Sequence, residues 1–348
     1  AKHGSEVHYT EYPQAGTYAT PKTFCPKAAA VTRGELVEAI TEISAGLIGH
    51  DDKLFVDSGG SRSTNRSLMM TSGGVVHDSH SSNWGIHGGG QQTQGTDILH
   101  FGSGRSWKAL NDLWDPKYII NRCIRDLTLG DDIVEAPSGT MKAFIDPGVL
   151  AAFLSPLVEG INGRTVAMGG SPLAEKIGQR VLDPVFTISD DPHMDYGAGV
   201  VMDGEGVPTE CHTVVDAGEL KMFLYDYDTA CMVGATPTGG SRFYDMVVAP
   251  GETPHEELLA SIDEGVYIRG MLGFGQGNII NGDFSANVSP GYLIRDGKVV
   301  GRIKDTMVAG NLYDLLGSNV QLSSNYDKPG RLPWALLDGM SVSSAGKS

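Results

Sequence analysis

The sequence predicts an α+β protein, in which a central region of helices and strands is followed by a mostly antiparallel β domain. Short strands are interrupted by helices that do not alternate with them regularly, which argues against a doubly wound sheet. The 47 glycines follow no strict period, so they indicate many turns between strands. We expect residues 1–134 to form the first region and residues 135–348 the second.

The first region begins with extended chain and a helix. Residues 1–31 are polar and punctuated by prolines, which favour loop or extended backbone. Thr32 and Glu35 have the spacing of a capping box, and apolar residues then recur at helical intervals until Gly49. The sequence therefore predicts a helix that starts after Thr32 and ends near Gly49.

Strands and a second helix complete this region. Residues 53–105 are rich in serine, glycine and histidine, with short apolar runs that indicate strands and turns. Asp115 precedes Pro116, a residue favoured at the first helical position, and Gly130 is a typical helix end. We expect a helix between them.

The second region is predicted to open with two helices. Asp146-Pro147 starts the first of these, which continues over residues 148–161. Ser171-Pro172 starts the other, with apolar residues at helical spacing as far as Val181.

Strands dominate from residue 183 onward. Thr253 and Glu256 have capping-box spacing and predict one more short helix. Asp296-Gly297 lies between two apolar runs and is a strong signal for a type I′ hairpin turn.

Charge and composition exclude several classes of protein. The chain has 42 acidic and 26 basic residues in 348, a formal net charge of -16, and no basic patch. Such a surface repels phosphate backbones, so we expect no nucleic-acid partner. No apolar run approaches the length of about 18 residues that spans a bilayer, so we expect no membrane partner.

Four scattered cysteines without a CxxC pair, and a start without the apolar core of a signal peptide, predict a cytoplasmic protein.

Three stretches of the second region resemble the TldD/PmbA peptidase family, also called the modulator of DNA gyrase family. Residues 203–209 match an acidic-glycine-proline signature, and residues 216–226 match a hairpin stretch that follows it. Residues 265–316 are similar to the C-terminal block of the family, including the Gly-Asp-Phe-Ser step at 282–285. The resemblance covers residues 135–348 well and the first region by the order of its elements. The N-terminal α/β domain of the family is not found here, and we expect the chain to begin after it.

The resemblance is closest to the PmbA/TldE-like branch, because the zinc motif of the TldD branch is missing. That motif, His-Glu-x-x-x-His, supplies two ligands and a general base, and a C-terminal cysteine supplies a third ligand. The corresponding positions here are Ala151, Ala152 and Pro156, none of which offers a side-chain donor. Residues 333–348 contain no cysteine. The resemblance therefore implies that this chain binds no metal or other cofactor, with zinc on a TldD-type partner.

The resemblance also implies a function. We expect a subunit of a metallopeptidase complex that degrades unfolded peptides or trims leader peptides, and that is non-catalytic by itself. Its partners would be a TldD-like zinc-bearing subunit, or a second copy through self-association, together with the unfolded or precursor peptide. One alternative is a homo-oligomeric peptide-binding scaffold. Another is an independent metallohydrolase that uses His77, His80 and His87.

Acidic and neighbouring residues of the matched stretches are candidates for peptide binding. Carboxylates there could hold a peptide amine or a basic side chain, or they could fix turns through bonds to the backbone. The candidates are Asp203, Glu205, Gly206, Pro208, Asp283 and Phe284.

Other groups of residues resemble metal or phosphate motifs but are better explained by a structural role. His77, His80, His87 and His100 lie in one short stretch, but strand residues three apart face opposite sides. His255-Glu256 lacks the second histidine of a zinc helix. The glycines of residues 273–277 lack the strand and lysine of a phosphate loop.

Overall fold

The first half of the molecule is a three-stranded antiparallel sheet with two helices on one face. The computed structural model describes residues 7–95 and 97–344. Residues 7–24 run as extended chain before the first helix. The elements are α1 (Pro26–Ala30), α2 (Arg33–His50), β1 (Phe55–Met70), β2 (Val76–Gln94), β3 (Asp97–Trp107) and α3 (Pro116–Gly130). The sheet order is β1-β2-β3.

Helices α2 and α3 pack on this sheet through their apolar faces. The predicted capping box is present, since Thr32 accepts from the Glu35 N–H at 3.2 Å and the Glu35 carboxylate accepts from the Thr32 N–H at 2.7 Å. Ile43 and Ile119 are fully buried beside Trp84 in one cluster. A side chain at Gly88 would collide with Ile43, so glycine there allows the helix to approach the strand closely.

The second half contains a ten-stranded sheet and a four-stranded sheet. Its helices are α4 (Pro147–Phe153), α5 (Ser155–Gly160), α6 (Gly163–Ala167), α7 (Tyr227–Val233), α8 (His255–Ala260) and α9 (Leu312–Leu315), with a 3-10 turn at Ile279–Asn281. Its strands are β4 (Ile133–Val134), β5 (Gly139–Ile145), β6 (Ile188–Asp190), β7 (His212–Asp216), β8 (Glu219–Leu220), β9 (Met246–Val248), β10 (Glu264–Ile268), β11 (Met271–Leu272), β12 (Asp283–Val288), β13 (Gly291–Arg295), β14 (Lys298–Ile303), β15 (Thr306–Asn311), β16 (Gln321–Tyr326) and β17 (Pro333–Ser344).

The large sheet has the order β11-β12-β15-β17-β5-β10-β13-β14-β4, with β16 on β17. Its pairs are antiparallel apart from β10 with β5 and β14 with β4. Helices α4 and α5 pack on one face in the main core. The other face carries a smaller core that includes Phe144, Tyr267 and Trp334. The small sheet has the order β8-β7-β6-β9.

The predicted α+β class is confirmed, as are the helix from Pro116 to Gly130 and the hairpin at Asp296-Gly297. Both turn residues have positive φ, 47° and 71°, as a type I′ turn requires. The division at residue 134 stays a prediction. Within the described residues, no helix is long and apolar enough to span a membrane.

Three local predictions are wrong. The stretch from Ser171 to Val181 forms turns, because the Ser171 hydroxyl accepts from the Leu173 N–H at 3.0 Å and Gly178 is left-handed at φ 75°. The helix predicted over 148–161 is broken at Leu154, since Pro156 cannot donate a helical hydrogen bond.

The third error concerns the start of α8, and one helix was missed. Pro254 is the N-cap of α8 and no side chain caps it, so Thr253 and Glu256 form no capping box. Glu256 instead lies 3.0 Å from the His255 ring. The short helix α1 falls where loop or extended chain was expected.

Two isoleucines of α2 test the packing of the first half. Ile43 is fully buried, whereas Ile48 is 49% exposed on the same helix. We expect Ile43→Ala to lower the free energy of unfolding by about 2–5 kcal/mol. Ile48→Ala should change it by less than about 0.5 kcal/mol. Urea unfolding followed by circular dichroism measures both, and equal losses would contradict this packing.

Candidate functional site

A cleft of about 680 Å³ lies between the two halves of the molecule. One wall is the backbone of residues 100–105 in β3 together with one face of α3. The other wall comes from the start of α4, including Ala151, and from residues 327–332 before β17. The lining is unusually rich in charged side chains, which we call the cleft network: Arg105, Arg122, Arg269, Asp126, Asp146 and Asp327.

Arg269 is the centre of this network. Its Nη2 lies 2.6 Å from the Asp126 carboxylate and its Nη1 lies 2.8 Å from the Asp146 carboxylate. Both aspartate side chains are nearly inaccessible, at 4% and 6% exposure. Burial acts to lower the pKa of Arg269, but the two carboxylates outweigh it and raise that pKa above its usual value. Arg269 therefore stays charged and links α3 to α4.

Asp327 is the second junction. It accepts from Arg105 at 3.0 Å and from the Tyr118 hydroxyl at 2.9 Å, and Arg122 lies 3.0 Å away. Burial opposes ionisation of Asp327, but the arginines outweigh it and hold the pKa of this carboxyl below its usual value. Arg122 also reaches Asp146 at 3.5 Å. Three arginines thus face three aspartates, and their formal charges cancel.

Local structure explains how these side chains converge. Tyr118, Arg122 and Asp126 recur every four residues, so they lie on one face of α3. Asp146 is the N-cap residue of α4, and its carbonyl accepts from the Val149 N–H at 2.9 Å. The network is therefore assembled from one strand, one helix face, one helix start and two loops.

The cleft is not suited to a zinc ion. Ala151 lies on its wall and offers only a methyl group, and the nearby carboxylates are committed to arginines. Within residues 7–95 and 97–344, no three histidine, cysteine, aspartate or glutamate side chains form a group that could hold a metal. The donors present therefore do not fit the group that the family implies, and the expected absence of a cofactor stays a prediction.

Strand β3 presents an open edge to the cleft. It pairs with β2, from Trp84 opposite Trp107 to Gln94 opposite Asp97. No described strand pairs with its other side. Gly102 and Gly104 lie on the part of β3 that lines the cleft, so two positions there carry no side chain. Such an edge can accept an extended peptide as an additional strand.

The candidate loop with Asp203 lies outside this cleft. One oxygen of Asp203 accepts from the N–H groups of Glu205, Gly206 and Val207 at 3.0, 2.9 and 2.9 Å. Asp203 is only 5% exposed, so its carboxylate fixes the turn rather than facing solvent. Its second oxygen has no hydrogen-bond partner in the described part of the chain. Burial raises the pKa of Asp203, although the three N–H bonds oppose that shift.

The N-terminal segment, residues 7–24, passes over the same loop. The Tyr18 hydroxyl donates to the Gly206 carbonyl at 2.8 Å, and Gly16 lies against the Pro208 ring. Near the start of this segment, the His8 ring lies 3.2 Å from the Asp228 carboxylate. The N-terminal segment therefore already contacts two of the candidate peptide-binding residues, Gly206 and Pro208.

Asp283 and Phe284 lie elsewhere, on β12 of the large sheet. Asp283 accepts from the Asn311 amide at 3.0 Å, and Phe284 packs against Phe153 with ring centroids 5.1 Å apart. No hydrogen bond, ion pair or ring contact among the described residues joins β12 to the Asp203 loop. The six candidates therefore do not form one site.

The histidines are also dispersed. His77 and His80 lie on β2 with side chains on opposite faces, and His80 stacks on Phe24 at 3.8 Å. His87 lies far along the same strand from His77, at about 3.3 Å per residue. His100 is on β3 at the cleft. This arrangement does not bring His77, His80 and His87 to one ion.

The sequence interpretation missed the cleft network. The spacing of Tyr118, Arg122 and Asp126 on one helix face was the available signal, since polar residues there interrupt an otherwise apolar pattern. Their partners Arg269 and Asp327 are too distant in the chain to be paired with them by spacing.

Comparison with known proteins relates this architecture to a family. A family model described as the PmbA/TldA metallopeptidase C-terminal domain matches residues 138–344. A metalloprotease from Methanothermobacter thermautotrophicus is 29% identical over 191 residues, which are 52% of this chain and 42% of the relative. A metalloprotease TldD homologue from Buchnera aphidicola is 27% identical over 80% of this chain and 59% of the relative. The chain thus spans about half the length of these curated relatives.

Solved structures share the fold over nearly the whole chain. A protein from Thermotoga maritima named as a modulator of a DNA gyrase superimposes with a TM-score of 0.88 at 23% identity, over 97% of this chain and 80% of that one. TldE from Thermococcus kodakarensis gives 0.87 at 21% identity, over 99% of this chain and 81% of that one. At these identities the likeness establishes the fold.

Removal of Arg269 tests the cleft network. Arg269→Leu leaves Asp126 and Asp146 buried without their cation, so we expect a loss of about 3–5 kcal/mol in the free energy of unfolding. The matched control is Arg295→Leu, which breaks an exposed pair with Glu264 and should cost less than about 1 kcal/mol. Denaturant unfolding measures both, and a small loss for Arg269→Leu would contradict the network.

The raised pKa of Asp203 predicts a pH dependence. The unfolded carboxyl titrates near pH 3.9 and the folded one at a higher pH, so between these values the folded state binds more protons. This group therefore contributes stability at low pH that is lost as the pH rises through the folded pKa. Asp203→Asn should remove that loss, so its melting temperature relative to that of the unmodified chain should increase as the pH rises from about 4 through the folded pKa.

The control for this experiment is Asp52→Asn, since Asp52 is exposed. It should retain the pH dependence of the unmodified chain. Parallel melting curves for the unmodified chain and Asp203→Asn at every pH would refute the assignment.

Proposed function

Because this chain belongs to the PmbA/TldD metallopeptidase family, we propose that it is the substrate-holding subunit of a peptide-cleaving complex. In this proposal a TldD-type partner supplies the zinc ion and the hydrolytic step. The substrates are unfolded peptides or the leader segments of precursor peptides. The chain by itself is non-catalytic, and its four free cysteines suit the cytoplasm.

The observation that carries this proposal is the chemistry of the cleft. A hydrolytic zinc site needs about three protein donors and an open position for water. Here Ala151 offers a methyl group, and Asp126, Asp146 and Asp327 are bound to arginines. An exchange of these arginines for a metal would leave three partly buried guanidinium groups unpaired, which is costly. These intramolecular ion pairs support a cleft that works without a metal of its own.

The open edge of β3 supports the holding role. A peptide that pairs with this edge gains main-chain hydrogen bonds whatever its sequence, which suits unfolded substrates of varied composition. The glycines at 102 and 104 leave room for it, and the neutral network neither attracts nor repels charged residues strongly. We propose that the Asp203 loop adds the Glu205 carboxylate at a second contact with the peptide.

Reconstitution with a partner tests whether this chain holds the peptide while a TldD-type subunit cleaves it. The purified chain should leave unfolded casein intact, and addition of a TldD-type subunit should give cleavage that a chelator abolishes. Autonomous, chelator-sensitive cleavage by the chain alone would refute the proposal.

A variant of β3 tests where the peptide binds. A side chain at Gly102 has ordinary contact distances, with the Gly88 carbonyl oxygen 3.7 Å from its first carbon, so Gly102→Leu can fold while adding bulk to the part of β3 that lines the cleft. We expect it to weaken binding of an unfolded peptide about tenfold, measured by fluorescence anisotropy. Gly85→Leu is the matched control, because Gly85 lies on β2 outside the cleft and also has room, at 3.5 Å from the Ser61 hydroxyl. Equal effects of the two variants would count against the β3 edge.

A further inference from the structure

A second cavity, of about 340 Å³, lies on the other side of the cleft network. It shares Tyr118, Arg122, Asp126 and Arg269 with the cleft, so these side chains form a wall between the two spaces. Its remaining lining comes from α3, from α8 and from the outer face of the large sheet. A volume of this size is within the usual range of small-molecule sites, about 300–1,000 Å³.

The base of this cavity is aromatic. Phe144, Tyr267 and Trp334 come from the strands β5, β10 and β17 and belong to one buried cluster. Phe144 and Tyr267 are tilted, with ring centroids 5.3 Å apart. His255 stacks on Trp334 at 4.2 Å and 15° between planes, which fixes the orientation of the indole. Fixed ring surfaces of this kind favour a flat apolar group in the cavity.

One cation in the lining differs from the others. Arg122 and Arg269 are held by carboxylates of the cleft network. Arg125 lies one turn after Asn121 on α3. Its side chain has no ion pair or hydrogen bond in the described part of the chain. Asp115 also lines the cavity, but its carboxylate accepts from the Lys117 N–H at 3.0 Å as the helix cap. Arg125 is thus an arginine without a side-chain partner at a cavity with an aromatic base.

We propose that this cavity binds a small molecule that joins a flat aromatic ring to a carboxylate. The planar guanidinium of Arg125 can donate two parallel hydrogen bonds to the carboxylate, a pairing that an ammonium group cannot reproduce. The ring then lies against Tyr267 and Trp334 inside the cavity. Two sources share this chemistry: a free aromatic acid, and the C-terminal aromatic residue of a short peptide. The inference is independent of the proposed peptidase role.

The site also touches the cleft network. A carboxylate bound next to Arg125 lies near the wall formed by Arg122 and Arg269, whose charges it also attracts. Occupation of the second cavity is therefore positioned to alter how firmly those arginines hold Asp126 and Asp146.

Calorimetric titration of the full chain with phenylpropionate and with the dipeptide Gly-Phe tests the proposal. We expect saturable binding of one or both acids, accompanied by a change in tryptophan fluorescence as Trp334 is covered. Binding of phenylpropionate alone identifies a free acid as the ligand, whereas stronger binding of Gly-Phe identifies a peptide C-terminus. Gly-Phe amide lacks the carboxylate and should bind at least about tenfold more weakly than Gly-Phe if the peptide is the ligand.

Arg125→Gln should weaken binding of the acid about tenfold or more, with no loss of thermal stability, because the side chain is exposed and unpaired. Arg33→Gln is the matched control, an exposed arginine on α2 that should leave binding unchanged. The proposal is overturned if neither acid binds, or if the Arg125→Gln and Arg33→Gln variants bind equally well.

Discussion

The position of Arg269 between two buried aspartates determines how the halves of this protein meet. Asp126 belongs to a helix of the first half, Asp146 starts a helix of the second, and Arg269 follows a strand of the large sheet. Charges this deeply buried are tolerated only when they are paired with good geometry. The pairing therefore fixes the distance between α3 and α4, and with it the width of the cleft and the place of the β3 edge.

The same side chains serve two spaces. On one side they close the base of the cleft beside Ala151, and on the other they bound the cavity with Arg125 and Trp334. A metal at the cleft would have needed free carboxylates or histidines, whereas this sequence commits its carboxylates to arginines.

Local signals in the sequence predicted much of the fold. Three of these signals depend on residues only a few positions apart, so the sequence alone could predict them. They are the Thr32–Glu35 capping box, Pro116 at a helix start and Asp296-Gly297 at a turn. The helix predicted from Ser171 failed because a side-chain bond and a left-handed glycine outweighed apolar spacing. The site itself depends on contacts such as Arg105 with Asp327, separated by 222 positions, and no local pattern encodes such a pairing.

The ion pairs of the cleft network leave Asp126, Asp146 and Asp327 bound to arginines, and metal analysis of the isolated chain tests most directly whether the cleft can hold a metal. The chain, purified without a partner and incubated with excess zinc, would be desalted and its metal measured by mass spectrometry. We expect no stoichiometric zinc, with or without a chelator. A zinc ion retained in equal number with the chain, and lost when Asp146 or Asp327 is replaced by alanine, would contradict it.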